Sequence, residues 1–162
     1  MRKPAIVAVL VLAAAGCSDR PPPPPPPPTI DFAADAENVT AKPFMYCDIQ
    51  VTDCKRDNAA QVELTVAPGT PVRVTVPAEV AETPWSVVIQ YITAAGEQKD
   101  PETVAAFAPN GASTFDALPP GPGDQLQTVE VKQAGAKLMA DETGQQEPVA
   151  RGVWSVSVKA PA

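Results

Sequence analysis

An all-β domain folded as a two-sheet sandwich is what this sequence predicts, and three observations carry the expectation. Apolar residues recur with a period of two over most of the chain after residue 29, the spacing of strands with one buried face. Pro, Gly, Asp and Asn interrupt those stretches every few residues, which marks turns. No stretch longer than about one turn reads as a helix, because none carries an extended 3.6-residue apolar repeat.

The strands follow in order. Ile30 and Phe32 alternate with Asp31, and Val39 and Ala41 follow the polar turn Asp35-Ala36-Glu37-Asn38. Cys47, Ile49 and Val51 share one parity against Asp48, Gln50 and Thr52, which predicts a strand over 47–52. Val62, Leu64 and Val66 are joined to Val72, Val74 and Val76 by Ala67-Pro68-Gly69-Thr70. Proline presets one turn dihedral and glycine accepts a positive one, so these two runs are expected to form a hairpin. Between Pro77 and Pro84, Ala78-Glu79-Val80-Ala81-Glu82 is the one expected helical turn, kept short by the flanking prolines.

The run 85–92 is apolar at nearly every position, which predicts a central strand covered on both faces. Further strands are expected at 114–118, 126–132, 137–139 and 152–159. About nine or ten short strands with two tryptophans suggest an immunoglobulin- or fibronectin-III-like β-sandwich, with a partly closed β-barrel as the alternative.

The first residues describe an address. Met1-Arg2-Lys3 precedes an apolar run, 4–12, and then Ala13-Ala14-Ala15-Gly16-Cys17. A positive start, a short apolar stretch and small residues before a cleavage point make an export signal. A cysteine directly after Ala14-Ala15-Gly16 makes it resemble a bacterial lipoprotein signal. That resemblance implies cleavage before Cys17 and a diacylglyceryl group on its thiol, with the domain held on the extracytoplasmic face of the cell membrane. Residues 1–16 are then the signal peptide. Residues 17–28 form a lipidated cysteine plus a spacer containing eight consecutive prolines, and 29–162 form one domain. Eight prolines favour an extended polyproline rod of ~25 Å. A ligand for a groove that reads Pro-rich segments is the competing account, but such grooves are mainly intracellular, so we prefer the spacer.

The chain carries 12 Lys and Arg against 19 Asp and Glu. Losing Arg2 and Lys3 with the leader leaves 10 against 19, a formal charge of −9. A balance this acidic argues against nucleic acid, whose phosphates need clustered cations. It favours solubility or basic partners. Histidine is absent, which removes Ser-His-Asp and Cys-His nucleophile systems and His-ligated metals. Three cysteines in an exported chain leave an odd one. With Cys17 acylated, Cys47 and Cys54 remain to pair in an oxidising compartment, the alternative being two free buried thiols.

Each further candidate has a plainer account beside it. Trp85 and Tyr91 could stack on a sugar or peptide, but they share parity with Val87 and Ile89 and are expected in the core, as is Trp154. Asp48, Asp53, Asp57 and Asn58 gather oxygen ligands, yet Lys55 and Arg56 sit among them and the spacing fits no EF-hand. A solvated turn is expected there, with no metal and no cofactor. A carboxylate pair could catalyse hydrolysis, but Asp31, Glu63, Glu97, Asp141 and Glu142 fall in turns or on outward strand positions. Asn38-Val39-Thr40 fits a glycosylation pattern that a bacterial lipoprotein does not need. No helix follows Gly121-Pro122-Gly123, so it is no phosphate loop.

Four segments stand out together: Met45-Tyr46-Cys47-Asp48-Ile49-Gln50-Val51-Thr52-Asp53-Cys54, Val66-Ala67-Pro68-Gly69-Thr70-Pro71-Val72, the run from Val76-Pro77 to Pro84-Trp85, and Leu126-Gln127-Thr128-Val129-Glu130-Val131. On these the chain resembles the DUF2771 family of actinobacterial lipoproteins over most of its length after the prolines, most strongly from Cys47 to Trp85. That family's function is uncharacterised, so the resemblance implies a location and no activity. The expectation is a non-enzymatic, membrane-anchored module that binds or scaffolds an envelope protein partner. A binder of lipid, glycan or peptide is the alternative. A carboxylate-only hydrolase or an inhibitor of a basic cell-wall enzyme is less favoured.

Overall fold

The computed structural model describes residues 25–140 and 143–162. Eleven strands and one helical turn follow in chain order: β1 Ile30–Ala34, β2 Glu37–Ala41, β3 Met45–Cys47, β4 Cys54–Arg56, β5 Val62–Thr65, β6 Val72–Thr75, α1 Ala78–Ala81, β7 Trp85–Ile92, β8 Glu102–Phe107, β9 Thr114–Ala117, β10 Gln125–Ala140 and β11 Gln146–Lys159. They form two sheets. The smaller runs β2-β1-β6-β9, and the larger runs β4-β3-β11-β10-β7-β8 with β5 added beside β11. Both are antiparallel apart from the parallel β5–β11 pair. Neither closes on itself, so the architecture is the all-β sandwich and not the barrel.

Period-two alternation directs one face of each strand inward. Phe32, Val72 and Val74 of the smaller sheet and Val87, Ile89, Val131, Trp154 and Val156 of the larger are fully buried in one core. Trp85 and Tyr91 belong to the same cluster. Trp85 stacks on Phe107 with ring centroids 4.2 Å apart, and its indole N–H donates to the Ala112 carbonyl at 3.2 Å. These aromatics are core anchors, as their parity predicts.

Three expectations are corrected. The two valine runs around Pro68-Gly69 do not pair: β5 lies on β11 in the larger sheet, whereas β6 lies between β1 and β9 in the smaller. The turn crosses between sheets, and Gly69, at φ +73°, donates to the Asp124 carbonyl at 2.9 Å. Strand alternation records which face is buried and is the same for a hairpin and for a crossing between facing sheets.

The strand expected over 47–52 is instead a reversal. Cys47 pairs with Cys54 across the β3–β4 hairpin, and Val51 turns through φ +56°, leaving Ile49 exposed. Finally, β7 is central, between β10 and β8, but it is not covered on both faces. Its outward side chains Ser86, Gln90 and Ile92 are half-buried, and only Val88 on that side is fully buried.

One end of the sandwich collects most of the irregular structure. Ile30 pairs with Ala41 and Asp31 with Thr75, so the chain before β1, after β2 and after β6 meets there. In the larger sheet Gln133 pairs with both Trp85 and Gly152 at the corresponding level. The Gln133 amide is fully buried and donates to Thr83 Oγ1 at 2.9 Å and to the Glu79 carbonyl at 3.2 Å. It thereby ties the α1 turn to the sheet and satisfies a carbonyl that a helix this short leaves open.

Beyond this level β10 and β11 continue as a two-stranded ribbon, residues 135–140 and 146–150, with register shifts between Gln133 and Leu138. Leu138 and Met139 are exposed on it. The reversal after Cys47 leans on its base, where the Ala136 N–H donates to the Ile49 carbonyl at 2.8 Å.

Candidate functional site

The same end holds an open groove of about 720 Å³, within the range of small-ligand sites. One wall is the N-terminal proline segment. The sequence places residues 21–28 outside the core, yet Pro28 is buried. The reason is a hydrogen bond: the indole N–H of the fully buried Trp154 donates to the Pro28 carbonyl at 2.9 Å. A proline has no N–H to satisfy, so burying it leaves only its carbonyl to be paired. Pro26 and Pro27 then run along the groove.

The groove lining also carries charge. Lys42 follows β2, and Lys55 and Arg56 come from the edge strand β4; all three line the groove. The ion pairs among the described residues use Arg73, Lys99, Lys132 and Lys159, and none uses these three. In a chain of net charge −7, three cations without a carboxylate partner facing one concavity form a local reversal of sign.

Two carboxylates also line it. Asp57 accepts the Ala59 N–H at 3.0 Å. Glu79, on α1, accepts the Tyr46 hydroxyl at 3.3 Å. Tyr46 in turn accepts from Arg151 Nη2 at 2.9 Å, and that guanidinium lies 4.9 Å from the Tyr46 ring centroid. Burial holds the Tyr46 hydroxyl above its ordinary pKa of 10.0, outweighing the opposing pull of Arg151. Tyr46 therefore stays a neutral donor to Glu79 at physiological pH.

The other sequence candidates fall elsewhere. Cys17 lies outside the described residues. Cys47 and Cys54 are joined by a disulfide, with Cα atoms 4.0 Å apart. Asp48 is engaged within its own turn: Oδ1 accepts from the Thr52 and Asp53 N–H groups and Oδ2 from Thr52 Oγ1. The Thr52 hydroxyl and these two amides hold its carboxyl below the ordinary value. Among the described residues no group of three His, Cys, Asp or Glu side chains is arranged to hold a metal.

Asp31 accepts from Thr40 on the smaller sheet, Glu63 pairs with Lys159, and Glu97 pairs with Lys99 in the β7–β8 turn. These carboxylates stand on separate elements, while Asp141 and Glu142 lie outside the described residues. Sequence reasoning missed the groove because its walls come from positions far apart in the chain. The one local signal is Lys55-Arg56 directly after Cys54.

A family model described as a protein of unknown function, DUF2771, matches residues 23–159. The chain belongs to the DUF2771 family. The match starts inside the proline run, consistent with Pro28 being part of this DUF2771 domain. The chain matches no curated protein and no solved structure. No helix among the described residues is long and apolar enough to cross a membrane.

Proposed function

We propose that this DUF2771 protein is a lipid-anchored, non-enzymatic binding module of the bacterial cell envelope. In this account its groove stands where the tether enters the domain. The observation that carries the proposal is the position of Pro26, Pro27 and Pro28 along the groove, pinned by Trp154. The twelve residues from Cys17 to Pro28 place their first and last Cα atoms at most ~40 Å apart when extended. A diacylated Cys17 would therefore hold the groove within a few nanometres of the bilayer. Each buried methylene contributes about 0.8 kcal/mol, and two chains hold where one is marginal. The partner reached from this position is another envelope component.

The test is membrane fractionation of Cys17→Ala against the parent protein. The variant is expected in the soluble fraction after alkaline carbonate extraction, and its retention on membranes would overturn the anchor. Crosslinking in cells from a photoreactive residue at Lys42, against one at Asp116 on the far edge strand β9, addresses the binding role. Adducts specific to Lys42 are expected, and identical patterns from both positions would count against the groove.

A further inference from the structure

We infer that the groove is a site for a phosphorylated polyol or sugar, an assignment that rests on the binding role proposed for this groove. Three features of its lining select that chemistry. Lys42, Lys55 and Arg56 supply two ammonium groups and one guanidinium without carboxylate partners among the described residues. A phosphate ester, with up to two negative charges and three acceptor oxygens, matches three cations better than a lone carboxylate does. A guanidinium can also take phosphate through two parallel N–H···O bonds.

The carboxylates beside them separate a phosphorylated polyol from a bare anion. Asp57 and Glu79 line the same groove, and among the described residues the Asp57 carboxylate accepts from the Ala59 N–H and the Glu79 carboxylate from the Tyr46 hydroxyl. A carboxylate can accept about four. They would repel a simple polyanion but can accept from hydroxyl groups next to a phosphate. The remaining surface is largely proline. The rings of Pro26, Pro43 and Pro77 offer flat aliphatic faces with no competing N–H, suited to the C–H faces of a polyol or sugar. Cations for phosphate, carboxylates for hydroxyls and proline rings for carbon therefore meet in one concavity.

The ligand could be a soluble phosphate ester or a lipid headgroup such as glycerol phosphate, and lysine footprinting on the full chain separates the sources. Amine acetylation at Lys42 and Lys55 is followed by mass spectrometry in nonionic detergent, with and without about 10 mM glycerol 1-phosphate, a concentration that detects millimolar affinity. The same measurement is made in vesicles of phosphatidylcholine alone and of phosphatidylcholine with phosphatidylglycerol. Slowing of about fivefold is expected on near-saturation, while Lys99 and Lys159, both ion-paired elsewhere, keep their rates.

Protection by glycerol 1-phosphate assigns a soluble ester, and protection only with phosphatidylglycerol assigns a headgroup. Protection under neither condition overturns the site. So does equal protection by glycerol without phosphate, or protection of Lys42 that survives in Lys55→Glu/Arg56→Glu with its melting temperature unchanged. Membrane retention of that double variant checks the anchor separately, so failure of the ligand assignment stays distinct from failure of the tether.

Discussion

Trp154 and Pro28 are joined by a buried hydrogen bond 2.9 Å long, linking a core indole of β11 to the last residue of the proline run. Gly152, two residues earlier on the same strand face, permits that indole position. A Cβ built on Gly152 would lie 2.5 Å from Trp154 Cη2 and 2.7 Å from Cζ3. The neighbour is a rigid ring held in the core, so neither side can yield cheaply.

Gly152→Ala is therefore expected to destabilise the domain by about 1–3 kcal/mol through overpacking. Trp154→Phe keeps most of the ring but strands the Pro28 carbonyl, with an expected cost of about 1–3 kcal/mol. Urea denaturation measures both. Limited proteolysis should release the proline segment of Trp154→Phe before the domain unfolds, and parent-like resistance would show that the indole does not hold the tether.

The Cys47–Cys54 bridge closes the reversal that supports the ribbon. Removing it in Cys47→Ala/Cys54→Ala is expected to cost about 2 kcal/mol by releasing the unfolded chain from a short loop. The local effect should be larger than the global one. The Ala136 N–H that donates to Ile49 should exchange much faster, while core amides of β7 follow only the global change. Non-reducing mass spectrometry should recover the two cysteines in one linked peptide pair, and two freely alkylated thiols would contradict the bridge.

Asp48 makes that reversal pH-sensitive. The Thr52 hydroxyl and the Thr52 and Asp53 amides depress its pKa below 3.8. A depressed folded-state pKa gives stability that is present above the unfolded value and is lost as pH falls through the folded one. The turn should therefore stay ordered at neutral and mildly acidic pH and loosen only below the usual carboxylate range. In an NMR titration the Thr52 and Asp53 amides should shift together with a midpoint under 3.8. Asp48→Asn should abolish that transition, and a midpoint at or above the ordinary value would remove the assigned cause.

Gly135 offers an independent probe of the same region. A Cβ there would stand 2.4 Å from Val51 Cγ2 and 3.1 Å from the Val149 carbonyl. Val51 already occupies a left-handed conformation, φ +56°, that a β-branched side chain rarely adopts. Gly135→Ala is expected to displace the reversal from the ribbon at a cost of about 1–3 kcal/mol. Faster exchange at Ala136 with an intact β7 would report it, whereas an unchanged Ala136 rate would mean that Val51 does not bear on the ribbon.

Much of the fold is legible residue by residue. Val72 and Val74 face inward and Arg73 outward, as their alternation requires, and α1 stops within the limits set by Pro77 and Pro84. The burial of Trp85, Tyr91 and Trp154 follows from the parity of their neighbours. Strand β8 was not legible, because its Thr103-Val104-Ala105-Ala106 stretch is weakly apolar and gains its place by pairing with β7. Strand β4 was hidden for the same reason: Cys54, Lys55 and Arg56 are all exposed, and the register with β3 defines them as a strand.

The sequence by itself determined the all-β class, the inward face of most strands and the spacing that lets two cysteines meet, because these depend on local period and short chain separation. Only the tertiary structure decided that the two valine runs belong to opposite sheets, that Pro28 enters the core, and that Lys42, Lys55 and Arg56 share a groove with Glu79. Those outcomes depend on which distant surfaces bury one another and which buried carbonyl finds a donor, and local alternation carries no record of either.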